Sequence, residues 1–293
     1  MNQVDTTLPD EANTSYSNAF YAQHLSGSES SARAILGRLW SHFCPSSVLD
    51  VGCGYGAWLR VAQDFGALEV RGMDGFHVEP KSLLINESQF TAADLRNEFE
   101  TERRFDLAIS VEVAEHLPIG RAASFVRDLC KASDVILFSA AVPYQGGESH
   151  FNEQWPEYWG ILFRQQGYRC FDAFRDDSWG DAAVESWYAQ NAFLFVKAGH
   201  ALCEHLKTFA ADGNVLSRVH PEVFLINTTR YRPDAAAQLQ EEIDAWRALV
   251  SAYCSGAMSV PTPFASLLPA SSEFHDFTPG RSSYRDASGF RAE

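Results

Sequence analysis

VLDVGCGYG, at residues 48–56, is the stretch of this sequence that decides the fold. Its apolar run is typical of a buried parallel strand, and the run ends at three glycines spaced one residue apart. Glycines at such a point favour a tight turn from strand to helix, where the backbone approaches a ligand closely. The stretch therefore predicts a nucleotide-like cofactor at the carboxyl end of the first strand of an open α/β sheet.

Strand patterns and helix patterns alternate along the chain, which predicts a parallel sheet with helices on both of its faces. Strands are predicted at 48–51, 69–73, 90–93, 105–111, 135–139, 168–174 and 192–196, and helices at 30–43, 57–65, 120–131 and 157–166. The last two strands lie too close together for a full crossover helix, so we expect a reversed final strand. The predicted fold is α/β, a Rossmann-like, doubly wound, seven-stranded sheet that is mostly parallel.

Composition divides the chain into three parts. Residues 1–29 are polar and rich in Ser, Asn and Thr, with an aromatic insert, and we expect an N-terminal arm or lid there. The predicted sheet domain covers 30–200. Residues 201–293 form a C-terminal extension with a predicted helix at 234–250 and a tail rich in Ser and Pro. The apolar stripe of that helix makes a homodimer conceivable.

Charge and cysteine content exclude several classes of protein. The formal net charge is −15, and the basic residues are scattered, so no nucleic-acid partner is expected. No apolar run approaches the roughly 20 residues that a membrane helix needs, so no membrane partner is expected either. The six cysteines form no CxxC pair, which argues against a zinc site or a disulfide framework. A cytoplasmic protein is the prediction.

The glycine loop alone leaves two cofactors open. Gly52, Gly54 and Ala57 satisfy the dinucleotide pattern GxGxxA, with Asp74 at a suitable distance for a ribose, so a nicotinamide oxidoreductase is one reading. However, Asp50 precedes the loop and would repel a pyrophosphate. An acid there suits a cofactor with a positively charged amino-acid tail. Asp74 and Asp94 end the next two predicted strands, where they suit ribose hydroxyls and an adenine amine.

The motifs taken together resemble a class I S-adenosylmethionine-dependent methyltransferase. They are VLDVGCGYG at 48–56, MDG at 73–75, ADL at 93–95 and FDLAISVEVAEHL at 105–117. The resemblance covers about residues 30–200. It implies S-adenosylmethionine as the cofactor and methyl transfer as the reaction.

The resemblance also implies a role for each motif residue. The three glycines of the loop pass under the methionine part of the cofactor, and Asp74 binds the ribose hydroxyls. Asp94 and the backbone of Leu95 lie by the adenine, while Val111 and Glu112 lie beneath the sulfonium end. The full predicted cofactor-binding set is Asp50, Gly52, Cys53, Gly54, Gly56, Asp74, Gly75, Asp94, Leu95, Val111 and Glu112.

The acceptor site is expected beyond the carboxyl ends of the strands. The stretch at 138–159 is aromatic and polar, and it resembles a bacterial subgroup associated with glycan or natural-product tailoring. A hydroxyl acceptor needs a general base because its pKa is far above neutral. His150 is the first choice for that base, with Glu153 or Glu115 to orient it, and His116 is the second choice.

Several alternatives remain open at this point. His150, Glu148 and Glu153 are an alternative metal-ligand set, but their spacing matches no fixed ligand motif, so no metal is predicted. The favoured function is O-methylation of a hydroxyl on a sugar, a glycan or a natural product. The alternatives are N-methylation of a small molecule, nicotinamide-dependent oxidoreduction, and a non-catalytic methyltransferase-like scaffold.

Overall fold

A single mixed sheet of seven strands forms the centre of the protein. The computed structural model describes residues 18–212, residues 216–231 and the single positions 241, 244 and 248. The strands are β1 Ser47–Val51, β2 Glu69–Asp74, β3 Phe90–Ala92, β4 Leu107–Val111, β5 Val135–Ser139, β6 Tyr168–Phe171 and β7 Phe193–Lys197. Their order across the sheet is β3-β2-β1-β4-β5-β7-β6.

Strands β1 to β5 pair in parallel, whereas β7 runs antiparallel to both β5 and β6. The prediction of a doubly wound, Rossmann-like sheet with a reversed final strand is therefore confirmed. From β1 the chain adds β2 and β3 on one side of that strand, and it then crosses back to place β4 on the other side. This reversal opens a crevice at the carboxyl ends of β1 and β4, the usual ligand position in open α/β sheets.

Helices cover both faces of the sheet. They are α1 Asn18–Trp40, α2 Ala57–Asp64, α3 Ala122–Ala132, α4 Pro156–Gln165, α5 Arg175–Ser178, α6 Ser186–Asn191, α7 Leu202–His205 and α8 Pro221–Tyr231. One apolar core lies between the sheet and helices α1, α2, α6 and α7. A second core lies between the other face of the sheet and helices α3 and α4. The central strands β1, β4 and β5 are buried throughout, as their apolar sequences indicate. No described helix is both long and apolar enough to cross a bilayer.

Helix α1 is longer than its sequence pattern predicts, because it begins at Asn18 rather than near residue 30. Tertiary contacts at Ser28 and Ser31 hold the middle of this helix against the segment at 185–188. The Ser31 hydroxyl donates to the Gly27 carbonyl and accepts from the Glu185 N–H, at 2.7 and 3.0 Å. The Ser28 hydroxyl lies 3.3 Å from that of Tyr188. Residues that read as part of a polar arm are thus held in a helix by a distant segment of chain.

Two predictions fall wholly or mainly on parts of the chain that the structure does not describe. The first 17 residues of the predicted arm lie outside the described ranges, and so do most of the predicted helix at 234–250 and the tail after it. The described part of the extension packs against the sheet domain. Leu216 and Ser217 donate their N–H groups to the Glu157 carboxylate in α4, at 2.7 and 2.9 Å.

A buried ion pair fixes the segment that follows β3. Arg121 donates to Asp128 at 2.7 Å, and both side chains are almost fully buried. Arg121 also donates to the backbone carbonyls of Leu95 and Asn97. The Asp128 carboxylate also accepts a hydrogen bond from the Phe99 N–H. This pair therefore ties residues 95–99 to α3.

We expect Asp128→Ala to lower the free energy of unfolding by about 3–5 kcal/mol, because it leaves the Arg121 guanidinium buried without its counter-ion. Urea unfolding followed by circular dichroism measures the change. The matched control is Glu98→Ala, which removes an exposed ion pair to the same helix, with Arg127 at 2.7 Å. The control should cost no more than about 1 kcal/mol. Equal losses in the two variants would contradict the importance of the buried pair.

Candidate functional site

The glycine loop takes a backbone that only glycine adopts without strain. Gly52, Gly54 and Gly56 have φ angles of 86°, 51° and 84°, all in the left-handed region. A Cβ atom added to Gly52 would also lie 2.3 Å from a Val113 methyl group. The loop is tied to β2, since the Gly52 N–H donates to the Met73 carbonyl at 2.7 Å. The alternate glycines thus permit this tight turn and, at Gly52, the close packing of Val113.

Asp74 closes the turn between the glycine loop and β2. Its carboxylate accepts hydrogen bonds from the N–H groups of Gly54 and Gly75, each at 2.6 Å. Burial raises the pKa of this carboxyl, and the two N–H donors and His77 oppose that shift. Each Asp74 oxygen keeps a lone pair, so the carboxylate can still accept from two neighbouring hydroxyls.

Asp50 is a buried acid without a partner. Its side chain is 1% exposed in the middle of the sheet, and neither oxygen has a hydrogen-bond partner. Burial, followed by repulsion from Asp74, raises its pKa well above the ordinary value. The Cys53 thiol beside it is also buried, and burial raises its pKa as well. An orphaned carboxylate at the end of a central strand fits a ligand that brings a positive charge, such as an amino-acid ammonium.

Asp94 lies at the end of the next strand but already has partners. Arg96 donates to both of its oxygens, at 2.8 and 2.9 Å, and Asn97 donates at 3.2 Å. The Arg96 hydrogen bond lowers the pKa of Asp94. The neighbouring Leu95 is buried, and Arg121 holds its carbonyl in place. Sequence reasoning missed Arg121, since nothing marks that arginine as different from the exposed ones.

Glu112 follows β4 and forms the centre of a polar network. Its backbone is left-handed, with φ at 54°, and its N–H donates to the Ser139 hydroxyl at 3.1 Å. Gln145 and Asn191 donate to the two oxygens of its carboxylate, at 2.8 and 3.2 Å. Burial raises the pKa of Glu112, and these hydrogen bonds oppose the shift. Val111 before it is buried.

Gln145 and Asn191 are further site residues that sequence reasoning missed. Gln145 accepts from Asn191 at 2.8 Å and from Gln190 at 3.1 Å, so three amide side chains support Glu112. The available signal was a pair of polar residues directly before an apolar strand. Gln190 and Asn191 are both buried.

The loop after β5 brings His150 to the segment after β4. The Glu115 carbonyl accepts the N–H groups of Phe151 and Asn152, at 2.8 and 2.9 Å. As a result the His116 and His150 rings meet edge to face, with their centroids 4.7 Å apart. The sequence separates these histidines by more than thirty positions, and the structure places them side by side.

Glu153 organises this loop. Its carboxylate accepts the N–H groups of Tyr144 and Gly146, at 2.7 and 2.8 Å, and lies 2.9 Å from His150 Nδ1. These contacts give His150 an Nδ1–H directed at a carboxylate, which leaves Nε2 as the nitrogen with a lone pair.

Glu115 and His116 form a cluster with His150 and Glu153, and both are shielded from water. Glu115 is 0% exposed, and its carboxylate oxygens make no well-formed hydrogen bond. Burial, followed by the Glu112 charge, raises its pKa well above the ordinary value, and the nearby N–H groups of Glu115 and Ala141 oppose that shift. His116 Nδ1 lies 3.3 Å from the Ser149 carbonyl. Burial, followed by repulsion from His150, lowers the pKa of His116 to about 4. His116 is therefore neutral at physiological pH.

Backbone strain concentrates at the same edge of the sheet. Among the described residues, the non-glycine residues with positive φ are Glu112, Tyr144 and Ser149, at 54°, 65° and 56°. Such conformations cost roughly 1–3 kcal/mol each and persist where the surroundings enforce them, often at functional sites. All three lie in the two segments that carry the cluster.

An open, mainly apolar groove of about 450 Å³ lies between the loop after β5 and α8. The loop after β5 supplies one wall, which includes Tyr144 and Trp155, and α8 supplies the other with Val223 and Phe224. Gln145 lines the groove and also bonds Glu112. The groove therefore adjoins the polar network.

Comparison with known proteins identifies the family. A family model described as a methyltransferase domain matches residues 24–183, which is more than half of the chain. A comparison with curated proteins found no match.

Solved structures of methyltransferases align with part of this chain. DesVI from Streptomyces venezuelae is 14% identical, with a TM-score of 0.46 over 65% of this chain and 100% of that one. CalS10, an amino pentose methyltransferase from Micromonospora echinaspora, is 13% identical, with a TM-score of 0.47 over 62% of this chain and 98% of that one. Human N-acetylserotonin methyltransferase is 17% identical, with a TM-score of 0.41 over 65% of this chain and 60% of that one.

The family match decides between the alternatives that the glycine loop left open, because it covers the strands and loops that form the crevice. It favours a methyltransferase over a nicotinamide oxidoreductase. This chain belongs to the methyltransferase domain family, and it is a class I enzyme with S-adenosylmethionine as its cofactor.

Proposed function

We propose that this enzyme methylates a hydroxyl oxygen on a sugar, a glycan or a natural product. The observation that carries the proposal is the cluster of His116, His150, Glu115 and Glu153 at the edge where an acceptor would meet the cofactor. When bound, S-adenosylmethionine supplies an electrophilic methyl group. A hydroxyl attacks it well only after losing its proton, whereas a carboxylate acceptor needs no such help. Two histidines and two carboxylates at this edge suit a hydroxyl.

The residues predicted to bind the cofactor are part of the same proposal. The orphaned Asp50 carboxylate would receive the cofactor ammonium, and Asp74 the ribose hydroxyls. Asp94 would accept the adenine amine only by sharing oxygens that Arg96 now occupies. The remaining proposed contacts are Gly52, Cys53, Gly54, Gly56, Gly75, Leu95, Val111 and Glu112.

We expect Asp50→Asn to stabilise the free protein and to weaken cofactor binding. The folded protein holds the Asp50 proton to a higher pH than the unfolded chain does. The stability of the parent therefore falls as pH rises from the ordinary aspartate range to the raised pKa. The variant lacks this loss, so its stability relative to the parent rises through that pH range. It also loses the charge that meets the ammonium, so the affinity for S-adenosylhomocysteine falls about 10- to 100-fold.

Thermal unfolding against pH and isothermal titration calorimetry measure the two effects. The matched control is Asp177→Asn, which makes the same substitution at an exposed residue. It should change neither quantity. Unchanged S-adenosylhomocysteine affinity in Asp50→Asn would contradict the proposed role of Asp50.

The groove supports an acceptor with an apolar part. Its volume of about 450 Å³ is in the usual range for sites that bind small molecules. Tyr144 and Phe224 offer exposed aromatic rings, while Gln145 and Asn227 supply polar groups. A hydroxylated natural product, or a sugar attached to an apolar body, fits this lining better than a free sugar does.

His150 is proposed to promote the deprotonation of the acceptor hydroxyl, with Glu153 as its positioning residue. We expect His150→Ala to lower the turnover of a hydroxyl acceptor by ~100-fold or more, with little change in S-adenosylhomocysteine affinity. Turnover is measured with a panel of hydroxylated glycans and natural products, from the release of S-adenosylhomocysteine.

His205→Ala is the control, since it removes an exposed histidine on α7. Its turnover should match that of the parent. Parent-like turnover in His150→Ala would exclude the proposed role. Methylation of amines alone across the panel would overturn the proposal of a hydroxyl acceptor.

A cytoplasmic location is proposed as well. The support is that the five described cysteines are free thiols and form no disulfide bonds with one another. They are Cys44, Cys53, Cys130, Cys170 and Cys203.

A further inference from the structure

Three side chains at the proposed acceptor edge have the arrangement of metal ligands. Glu115, His116 and His150 each present one ligand atom, and these atoms all lie within 4.8 Å of one another. A tetrahedral ion about 2.0–2.2 Å from each ligand would bring the atoms to roughly 3.5 Å apart. Small side-chain rotations would close that gap.

Glu115 is the member whose state calls for a cation. It is fully buried, and its two carboxylate oxygens make no well-formed hydrogen bond, although the Glu112 carboxylate and the Ala141 N–H lie near them. Buried polar atoms in proteins normally have partners, and an orphaned carboxylate beside two imidazoles indicates an unfilled site. The sequence suggested a different ligand set, in which Glu148 and Glu153 joined His150. The structure instead directs Glu153 at His150 Nδ1 and at two backbone N–H groups.

The surroundings of the two histidines also resemble those of metal ligands. Histidine ligands usually donate their second ring N–H to a carboxylate or a carbonyl, which fixes the ring. Here His150 Nδ1 lies 2.9 Å from the Glu153 carboxylate, and His116 Nδ1 lies 3.3 Å from the Ser149 carbonyl. His150 therefore has Nε2 available as a ligand atom. A Cβ atom on Gly147 would lie 2.2 Å from that nitrogen, so a larger residue there would crowd the His150 ring.

We propose that Glu115, His116 and His150 bind one divalent transition-metal ion, which in turn binds the acceptor hydroxyl. Two imidazoles and one carboxylate suit Mn²⁺, Fe²⁺, Co²⁺ or Zn²⁺ better than Mg²⁺ or Ca²⁺, which prefer oxygen ligands. Three protein ligands leave a coordination position open. The inference rests on the proposed O-methylation, because it assigns the open position to the acceptor oxygen.

The metal gives the cluster a defined way to activate a hydroxyl. A divalent ion lowers the pKa of an oxygen ligand, so the hydroxyl proton passes to water. The acceptor oxygen then forms its bond to the methyl carbon while the carbon–sulfur bond breaks, and sulfur keeps the electron pair. His150 serves in this scheme as a ligand and not as a proton acceptor. The Glu153 carboxylate holds that ligand in place.

The test measures metal binding and turnover in the full chain after treatment with a chelator. Calorimetric titration with Mn²⁺, Co²⁺ and Zn²⁺ should give one ion per chain for the parent, and bound Co²⁺ should show visible absorption. Glu115→Gln and His150→Ala should lose at least 100-fold in metal affinity. Glu153→Gln should lose about 10- to 100-fold, as expected of a residue that only orients a ligand.

Two further variants sharpen the result. Gly147→Ala keeps all three ligands but places a methyl group against His150 Nε2, so it should also weaken metal binding at least 10-fold. His205→Ala, an exposed histidine, should bind metal as the parent does. S-adenosylhomocysteine binding, measured on every variant, shows that each one folds.

The outcomes separate this inference from the proposed function. Turnover of a hydroxyl acceptor that falls on chelation and returns with metal supports both. Full turnover after chelation, or equal metal affinity in the parent and His150→Ala, overturns the metal site and leaves O-methylation standing. Site-specific metal binding without turnover of any hydroxyl acceptor overturns the proposed function and this assignment of the open position.

Discussion

The parallel pairing of β1 with both β2 and β4 is the constraint on which the rest of the structure depends. Because parallel strands end at the same edge of a sheet, it brings Asp50, Asp74 and Glu112 together there. The two loops that carry His116 and His150 leave the same edge from β4 and β5. Without this register the three acids would not meet at one edge of the sheet. With it they form one crevice.

Burial gives that crevice its chemical character. Asp50 and Glu115 lie out of water without partners, which costs stability in the free protein. A fold tolerates such groups when a ligand later supplies the missing charge. The two orphaned carboxylates mark two needs: a cation near the glycine loop and a cation near the histidines. The first fits the cofactor tail, and the second motivates the proposed metal ion.

The sequence predicted the sheet well because local patterns determine its parts. The strand at 135–139 was predicted with the bounds that the structure has, and β7 was correctly expected to be reversed. Helix α1 was predicted too short, since Ser28, in the predicted arm, contacts Tyr188, which lies 160 positions away in the chain. Gln145 and Asn191 escaped prediction because each bonds Glu112, which lies 33 and 79 positions away, and Arg121 because nothing in the sequence shows that it is buried.

The sequence by itself determined the glycine turn, the succession of strands along the chain and the acids at the strand ends. These features are local, because glycine conformation and apolar periodicity act over a few residues. Only the tertiary structure decided which of those acids have partners. It left Asp50 without a partner, placed Glu115 beside Glu112, and brought the His150 ring against that of His116. Pairing depends on distances across the fold, and spacing along the chain does not encode them.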